Sequence, residues 1–374
     1  MAEWSDVRLG DLVDNFDSKR LPVKSSERRA GPYPYYGASG VVDWVDGYLL
    51  DGEYLLVSED GENLRSRATP IAFTVSGKFW PNNHAHVLRG KEPVDTSFLK
   101  YALALADITG YLTGSAQPKL SRGSMDAIRL RVPDLPVRHS IADVLCALDD
   151  KIAANTRLAT TADDLARSLL ASDEPNVPVS EIATHSRLTV NPETMTEPQV
   201  VHFSLPAFDT GVGPESVGPE SIKSNKFLVS EPAVLVSKLN PRFPRVWNLP
   251  RLPVEPALAS TEFVVLVPTA CSTTVLWALT SQPRFGAALE GMVAGTSGSH
   301  QRVKPAEMLA TLVPDPRRLA PSLLAQVDAL GARSRAAQAE NVTLAATRDT
   351  LLPQLMSGKL RVRDAERIAV DAGL

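Results

Sequence analysis

Two long stretches of this chain share one repeating pattern of apolar and polar positions. In the first, apolar side chains recur every three or four residues from Ile141 to Leu169, with charged residues between them. This spacing predicts an amphipathic helix of about 30 residues. The second stretch, 319–356, repeats the pattern at a constant offset of 186 residues, so that Asn155, Leu158, Leu165 and Leu169 correspond to Asn341, Leu344, Leu351 and Leu355.

Each predicted helix would expose its apolar stripe if it stood alone. Two matched helices from one chain can bury their stripes against each other, which favours an antiparallel coiled-coil pair. Packing of each helix on its own globular segment is the alternative that the pattern leaves open. Gly331 lies inside the second helix, and we expect a kink or a frayed turn there.

The segments outside these helices have the pattern of short strands separated by turns. Strands are predicted at 53–57, 70–75, 200–204, 233–237 and 263–267, with a turn at Asp51-Gly52 and a helix over 96–109. The sequence therefore predicts an α+β chain with a pseudo-twofold internal repeat. Its expected parts are a globular domain at 1–136, a helix at 137–171, a second domain at 172–316, a second helix at 317–358 and a tail at 359–374.

Composition favours a cytoplasmic protein. The two cysteines, Cys146 and Cys271, are far apart, which excludes a disulfide scaffold and a CxxC metal site. No apolar run reaches the roughly 18 residues that span a bilayer, and the amino terminus lacks the pattern of a signal peptide. The net charge of −4 argues mildly against nucleic-acid binding, but the stretches 63–91 and 232–254 contain bases and no acid.

Motifs of known catalytic sites are missing from the sequence. It contains no GxSxG, GxxxxGK[ST], GxGxxG after a strand, or HExxH. His84 and His86 form an HxH pair without further metal ligands at suitable spacing, and the acidic group Glu59, Asp60 and Glu62 is typical of a solvated turn. We therefore predict a chain that is not an enzyme and has no metal or cofactor of its own.

Three segments have the composition of a nucleic-acid interface. Residues 295–304 and 114–121 are rich in glycine and hydrogen-bonding side chains, and each precedes a Val-Pro-Asp sequence. A flexible backbone with Ser, Gln, Arg and Lys suits close approach to a sugar-phosphate chain. In the third segment, 232–254, basic residues alternate with amides and aromatics: Lys238, Arg242, Arg245 and Arg251 with Asn240, Phe243, Trp247 and Asn248.

These segments resemble the specificity subunit of type I restriction–modification systems. The resemblance runs through essentially the whole chain. It rests on the strings YPYYGASG at 33–40, YLLVSEDGENL at 54–64, NNHAHVL at 82–88, SKLNP at 237–241, STEF at 260–263 and LLPQLMSGK at 351–359. It implies two target-recognition domains, each reading one half of a bipartite DNA sequence. It also implies that the paired helices fix the gap between the halves and dock two methylation subunits.

The resemblance further implies that the chemistry resides on partner subunits, with S-adenosylmethionine on the methylation subunits and ATP and Mg²⁺ on restriction subunits. For contacts to double-stranded DNA we predict Lys78, Asn82, Asn83, His84, Gln117, Lys119, Lys238, Asn240, Arg242, Ser299, His300, Gln301 and Arg302. For subunit contacts we predict Asp149, Asp150, Arg157, Arg333 and Arg348. A two-domain adaptor that binds proteins rather than DNA is the alternative, and a monomeric nuclease or methyltransferase with a disguised motif is a further one.

Overall fold

The computed structural model describes residues 4–171, 173–211, 213–293 and 301–374. The chain forms two compact units, the first comprising Met1–Ala154 and Glu340–Leu374 and the second Asn155–Ala339. Helices and several β-sheets are present in both units, so the predicted α+β class is confirmed. Within the described residues, no helix is both long enough and apolar enough to cross a membrane.

The first unit consists of short strands followed by helices. Its strands are β1 Trp4–Arg8, β2 Val13–Asn15, β3 Ala30–Gly37, β4 Gly40–Val45, β5 Leu50–Asp51, β6 Tyr54–Ser58, β7 Ala72–Val75, β8 Lys78–Pro81, β9 Ala85–Gly90 and β10 Arg129–Pro133. Its helices are α1 Leu9–Leu12, α2 Asn63–Ser66, α3 Pro93–Leu105, α4 Arg122–Asp126, the start of α5 Leu135–Leu169, and a carboxyl-terminal helix described below.

A four-stranded antiparallel sheet of order β2-β9-β6-β7 forms the centre of this unit. All five residues of β6 are buried, as expected for a continuous apolar strand covered on both faces. Helix α3 begins with Pro93 at its first turn and packs Phe98 and Leu99 into the core. A second sheet, of order β4-β3-β8-β5, lies beside it. Tyr54 and Leu56 of the first sheet and Phe79 of the second belong to one apolar cluster, so the two sheets pack against each other.

The second unit repeats this mixture of short strands and helices. Its strands are β11 Val177–Pro178, β12 Ala183–Ser186, β13 Thr189–Val190, β14 Val200–Phe203, β15 Glu215–Val217, β16 Lys226–Val229, β17 Ala233–Ser237, β18 Val246–Leu249, β19 Ala257–Ala259, β20 Phe263–Pro268 and β21 Leu312–Val313. Its helices are the end of α5, α6 Leu205–Thr210, α7 Thr273–Thr280, α8 Pro283–Gly291, α9 Pro305–Ala310 and the start of α10 Pro321–Met356.

The main sheets of the two units have the same strand order. In the second unit the order is β12-β20-β17-β18, again antiparallel throughout. The central strand β17 is entirely buried, as β6 is. Helix α7 follows β20 and packs on the sheet, as α3 follows β9. A small two-stranded sheet, β1-β10 or β11-β21, completes each unit. Each unit therefore has its own core, built from different residues in the same topology.

The long helices are antiparallel where they meet inside the first unit. Asn341 Nδ2 donates to the carbonyl of Ile152 at 3.2 Å, and Arg348 Nη1 donates to Asp149 Oδ1 at 2.8 Å. Leu145, Leu148, Leu344, Leu351 and Leu355 lie in the core of this unit. In these contacts the residue number increases along α5 as it decreases along α10, so the two segments run in opposite directions.

Gly331 does not cause the frayed turn that was one of the two expectations for this position. Helix α10 continues unbroken from Pro321 to Met356. A Cβ atom at Gly331 would lie 2.4 Å from Thr274 Cγ2, so the glycine permits close packing of α10 against α7. Tertiary packing outweighs the roughly 1 kcal/mol by which glycine disfavours a helix interior relative to alanine.

Two further features differ in detail from the sequence prediction. The turn at Asp51-Gly52 is present, with φ +125° at Gly52, but it does not join a hairpin, because β5 pairs with β8 and β6 pairs with β7 and β9. In the segment expected to be a tail, α11 spans Val362–Asp371 and buries Ala365 and Ala369 in the core of the first unit. Its apolar residues recur at helical spacing, a signal that the sequence contained.

Candidate nucleic-acid interface

A loop in the first unit pairs with the chain segment that follows the central strand β6. Leu120 N donates to the carbonyl of Glu59 at 2.7 Å, and Gly61 N donates to the carbonyl of Pro118 at 3.1 Å. This pairing brings the predicted loop 114–121 against the end of β6. We call residues 59–61 and 117–120 the first loop platform.

The second unit has the same arrangement after its central strand β17. Val303 N donates to the carbonyl of Lys238 at 2.9 Å, and Asn240 N donates to the carbonyl of Gln301 at 2.8 Å. We call residues 238–240 and 301–303 the second loop platform. The backbone pattern is common to both platforms, so these two predicted segments occupy equivalent places in the two units.

The first loop platform is fastened by a charged network around Glu59. Arg20 Nη1 donates to Glu59 Oε2 at 2.5 Å, and Lys119 Nζ lies 3.2 Å from Glu59 Oε1. His86 is buried and contacts Asp17 Oδ2 at 2.7 Å and the carbonyl of Leu120 at 2.8 Å. The network therefore joins the platform to β9 and to the segment after β2.

Both carboxylates of this network are held in their charged form. Burial alone would raise their pKa values. Hydrogen bonds to Glu59 from Arg20 and Lys119, with the nearby charge of His86, outweigh burial and keep the pKa of Glu59 below its usual range. The contact with His86 and a hydrogen bond from Val87 N lower the pKa of Asp17 in the same way.

The predicted DNA-contact residues of the first unit fall into two groups. Asn82 is buried and accepts from His84 N at 2.8 Å, while His84 Nδ1 lies 2.8 Å from Asp60 Oδ2 and Lys119 pairs with Glu59. These three side chains have protein partners. Lys78, Asn83 and Gln117 are exposed; the ammonium of Lys78 lies 4.7 Å from the centre of the Tyr48 ring.

The carboxylate that pairs with the second loop platform is Glu262, the residue before β20. Arg302 donates from Nε and Nη2 to the two oxygens of Glu262 at 3.0 and 2.9 Å. This bidentate pair lowers the pKa of Glu262 and raises that of Arg302. A second bidentate pair joins Arg245 to Asp209 at 2.6 and 2.9 Å. Both pairs lie at the surface rather than in a buried network.

Three of the predicted DNA-contact residues of the second unit, Lys238, Asn240 and Arg242, lie in a loop at 238–245. Asn240 has φ +48° and lies in the second loop platform with Lys238 and Gln301. Arg242 is exposed and forms no ion pair with any residue in the described ranges, and the neighbouring Phe243 is 59% exposed. Arg302 is held by Glu262. The two remaining predicted residues, Ser299 and His300, lie outside the described residues.

Sequence reasoning missed a basic segment at 19–29. It contains Lys19, Arg20, Lys24, Arg28 and Arg29 with a single acid, Glu27. Arg20 Nη1 donates to the carbonyls of Asn83 at 3.4 Å and Ala85 at 3.0 Å, so this segment lies beside the turn before β9. Lys19 and Arg29 are exposed and have no ion-pair partner among the residues described. Local charge density was the signal available in the sequence.

The residues predicted for subunit contact lie on α5 and α10. Asp149 and Arg348 pair with each other, and Asp149 also accepts from Lys100 Nζ at 2.6 Å and Tyr101 Oη at 2.7 Å. Asp150, Arg157 and Arg333 are exposed; within the described part of the chain none of these three forms an ion pair. The exposed trio is therefore free to meet another protein.

The described residues contain no group of three or more His, Cys, Asp and Glu side chains placed to hold a metal ion. His84 and His86 do not act together, because His84 contacts Asp60 at the surface and His86 contacts Asp17 in the interior. Glu59 pairs with Arg20 and Lys119, and Glu62 pairs with Arg65.

Comparison with known proteins shows what the amino-terminal part of the chain, which contains the first loop platform, is similar to. Residues 1–161 match the family model for the type I restriction modification DNA specificity domain. The amino-terminal part of this chain is therefore similar to a type I DNA specificity domain. A provisionally named type I restriction enzyme specificity subunit of Haemophilus influenzae is 38% identical over 147 residues, 39% of this chain and 37% of that protein. The resemblance seen in the sequence is confirmed.

Two further relatives extend the comparison. The HindI type I restriction enzyme specificity subunit of Haemophilus influenzae is 28% identical over 204 residues, 46% of this chain and 41% of that protein. The alignments thus cover about two fifths of these curated relatives. The crystal structure of the type I restriction–modification S subunit from M. genitalium superposes with a TM-score of 0.59 at 13% identity, covering 95% of this chain and 96% of that one. The fold of this chain is therefore similar to that of the M. genitalium S subunit.

Proposed function

We propose that this chain is the DNA sequence-specificity subunit of a type I restriction–modification complex. The observation that carries the proposal is the match of residues 1–161 to the DNA specificity domain. The similarity in fold to an S subunit over 95% of the chain supports extending it beyond those residues.

Each unit would read one half of a bipartite DNA target. The shared strand order and the equivalent loop platforms support a pseudo-twofold repeat of two target-recognition domains. Their different side chains support two different half-sites, because base readout depends on the donors and acceptors that each loop presents. In this proposal Lys78, Asn83, Gln117 and Arg242 face DNA directly.

The long helices would set the gap between half-sites as a coiled-coil spacer and dock two methylation subunits. Support comes from their length, with α5 and α10 spanning Leu135–Leu169 and Pro321–Met356, and from the antiparallel contacts within the first unit. Leu165 is 47% exposed although it lies on the apolar stripe. An apolar side chain at that position suits a helical partner. We propose the exposed side chains of Asp150, Arg157 and Arg333 as separate polar contacts to the methylation subunits.

The chain itself would contribute recognition without catalysis. S-adenosylmethionine would bind to the methylation subunits, and ATP and Mg²⁺ to restriction subunits where these are present. Ion pairs of Glu59, Lys119 and Arg302 and backbone pairing hold the loop platforms in place, an arrangement that suits a rigid reading surface.

Reconstitution with the candidate methylation subunit, followed by genome-wide mapping of methylated adenines, tests this function. We expect one bipartite motif with a fixed gap that disappears when this chain is omitted. Methylation independent of this chain would contradict the proposal. Salt-dependent retention on DNA separates it from the protein-binding adaptor, for which retention is not expected.

The role of the helices has its own test. Removing about one turn, roughly four residues, from the matched positions of α5 and α10 should shorten the gap and leave both half-site sequences unchanged. A change in the half-site sequences would show that the helices are not an independent spacer. A control variant with the turn replaced by alanines keeps the length and should keep the gap.

A further inference from the structure

The same turn follows the central strand in both units. In the first unit Leu64 N donates to the carbonyl of Gly61 at 3.1 Å, and in the second Phe243 N donates to the carbonyl of Asn240 at 2.9 Å. Gly61 and Asn240 both have positive φ, +109° and +48°. Each turn begins at the third residue after its central strand. Leu64 and Phe243 therefore occupy equivalent positions in the repeat.

The side chains at these equivalent positions have opposite environments. Leu64 is 2% exposed and belongs to the core of the first unit, whereas Phe243 is 59% exposed. Single exposed apolar side chains are common on protein surfaces, but this position is a core position in the first repeat. The second unit thus places in solvent an aromatic ring where the first buries a leucine, and it forgoes the stabilisation that burial would give.

The turn that carries Phe243 is held in one conformation. Pro241 and Pro244 lie on either side of it in the sequence and restrict the backbone there. Arg245 forms its bidentate pair with Asp209 at 2.6 and 2.9 Å, and Arg245 Nη1 also donates to the carbonyl of Phe243 at 3.4 Å. A ring presented by such a turn loses little backbone entropy when it contacts a partner.

The residue beside Phe243 indicates the kind of partner. Arg242 is exposed, has no ion-pair partner among the residues that the structure describes, and lies with its guanidinium carbon 5.8 Å from the centre of the Phe243 ring. On duplex DNA an arginine neutralises a phosphate, and the apolar group that base edges expose in the major groove is the methyl group of thymine, which phenylalanine contacts. Base faces are also apolar, but insertion between them requires unstacking, which is unfavourable.

We infer that Phe243 is a specificity-determining residue whose ring contacts the methyl group of one thymine in the half-site of the second unit, while Arg242 holds a nearby phosphate. The inference rests on the proposed function, because it requires this unit to bind DNA. It adds an apolar base contact to a loop whose predicted DNA contacts are all polar. Because Leu64 is buried, the first unit has no equivalent contact at this turn, and the dependence on Phe243 is confined to one half-site.

Replacement of single thymines by deoxyuridine tests the inference. The chain reconstituted with its methylation subunits is titrated with duplexes that carry the mapped target, in which each thymine in turn is replaced. Deoxyuridine lacks the methyl group and keeps the base pairing of thymine. We expect one thymine, in one half-site, whose replacement weakens binding about fourfold in a manner that depends on Phe243, as expected for the loss of one buried methyl-sized group.

Substitutions in the loop separate the base contact from the phosphate contact. Phe243→Ala should bind the thymine and deoxyuridine duplexes equally well at that position and still prefer the target to unrelated DNA. Phe243→Leu keeps an apolar contact and should retain part of the discrimination. Arg242→Ala should weaken binding to both duplexes alike and leave their ratio unchanged. Val254→Ala alters a fully exposed apolar side chain outside the loop platforms, and this control should bind both duplexes as the unaltered chain does.

Two further measurements report on the ring itself. Thermal unfolding of the chain without DNA should be the same for Phe243→Ala as for the unaltered chain, because the ring is mostly exposed. A fluorescent adenine analogue placed in the half-site should show no unstacking that depends on Phe243, because a methyl contact leaves the base stack intact.

Three results would overturn the inference and leave the proposed function standing. One is sequence-specific binding in which Phe243→Ala responds to every deoxyuridine as the unaltered chain does. Another is unstacking that depends on Phe243, which would place the ring between base pairs. The third is a clearly lower unfolding temperature of Phe243→Ala, which would mean that the ring packs within the unbound chain. Absence of any sequence-specific binding by the unaltered complex is a different result, because it would overturn the proposed function and the inference with it.

Discussion

The two loop platforms have the same backbone pairing, but the residue that follows the central strand carries a negative charge in one and a positive charge in the other. In the first, the residue after the central strand is an acid, Glu59, which binds the loop cation Lys119. In the second, that residue is Lys238, and the loop cation Arg302 binds Glu262, the residue before the neighbouring strand β20. A loop cation is thus paired with a carboxylate in both platforms, but the carboxylate follows the central strand in the first and precedes its neighbour in the second.

This difference shows how one fold is stabilised by unlike means. The first platform depends on a network that reaches the interior, since His86 and Asp17 are buried or nearly so. The second depends on bidentate pairs at the surface, where solvent screens charge. Backbone pairing carries the common geometry, and the side chains are free to diverge as different half-sites would require.

Of the substitutions that test this comparison, replacement of Arg20 should change the free energy of unfolding most. Arg20→Met leaves Glu59 and Asp17 partly buried without their guanidinium partner, and we expect the free energy of unfolding of the first unit to fall by about 3 kcal/mol. Arg302→Met is the matched control at the second platform, and it should change stability little because its pair is at the surface. Urea unfolding of both variants measures the difference, and equal losses would contradict it.

The glycine of α10 gives the next largest effect. Gly331→Ala improves helix propensity, but its Cβ would lie 2.4 Å from Thr274 Cγ2, so we expect destabilisation of about 1–3 kcal/mol from overpacking. Gly286→Ala in α8 is the control, because no atom outside its local backbone lies within 4 Å of its Cβ position. That change should stabilise the chain by about 0.5–1 kcal/mol. If both variants are more stable than the unaltered chain, α7 must move away from α10 at little cost in free energy, and the prediction is wrong.

Acid should open the first unit before the second. The folded-state pKa values of Asp17 and Glu59 are lowered. Their ionised forms therefore contribute to the free energy of unfolding above the ordinary carboxyl pKa of about 4. This contribution is lost as the pH falls through the lowered values. In the second unit, burial raises the pKa of Asp163, which has the opposite sign and favours folding as the pH falls through that raised value.

Hydrogen exchange, corrected for the intrinsic effect of pH, measures this order of opening. Protection of β6 and β9 should decrease at a higher pH than protection of β17 and β20. The lowered pKa values of Asp209 and Glu262 act against this difference, but both carboxylates are more exposed than Asp17 and Glu59. If the strands of both units lose protection at the same pH, the buried network does not make the first unit more sensitive to acid than the surface pairs make the second.

Sequence patterns predicted the elements that local chemistry determines. Strand β17 lies at the predicted residues 233–237, because an apolar run bounded by Pro232 and a polar segment has few alternatives. The long helices were predicted from their spacing to within a few residues. The network of Arg20, Glu59 and His86 was not predictable, since its members lie far apart in sequence and meet only after the sheet forms.

The candidate sites show the same limit. Asn82 and Lys119 are residue types that bind DNA, yet one is buried and the other is paired, and the sequence carries no local sign of either. Gly331 has the appearance of a helix break, but in the structure it permits close packing of α10 against Thr274 of α7. Residue type predicts what a side chain is able to do, whereas long-range contacts decide whether it is available.

The smallest expected effects concern DNA binding by the chain reconstituted with its methylation partner, and they follow from the proposed function. Arg242 has no carboxylate partner among the described residues, so Arg242→Ala should weaken binding to all sequences alike and reduce the slope of log K against log salt by about 1. Glu262→Gln should act in the opposite direction, because it releases Arg302 for a phosphate and steepens the slope. Lys223→Ala, an exposed lysine outside the platforms, is the control. A change confined to one half-site base would instead assign Arg242 to base readout.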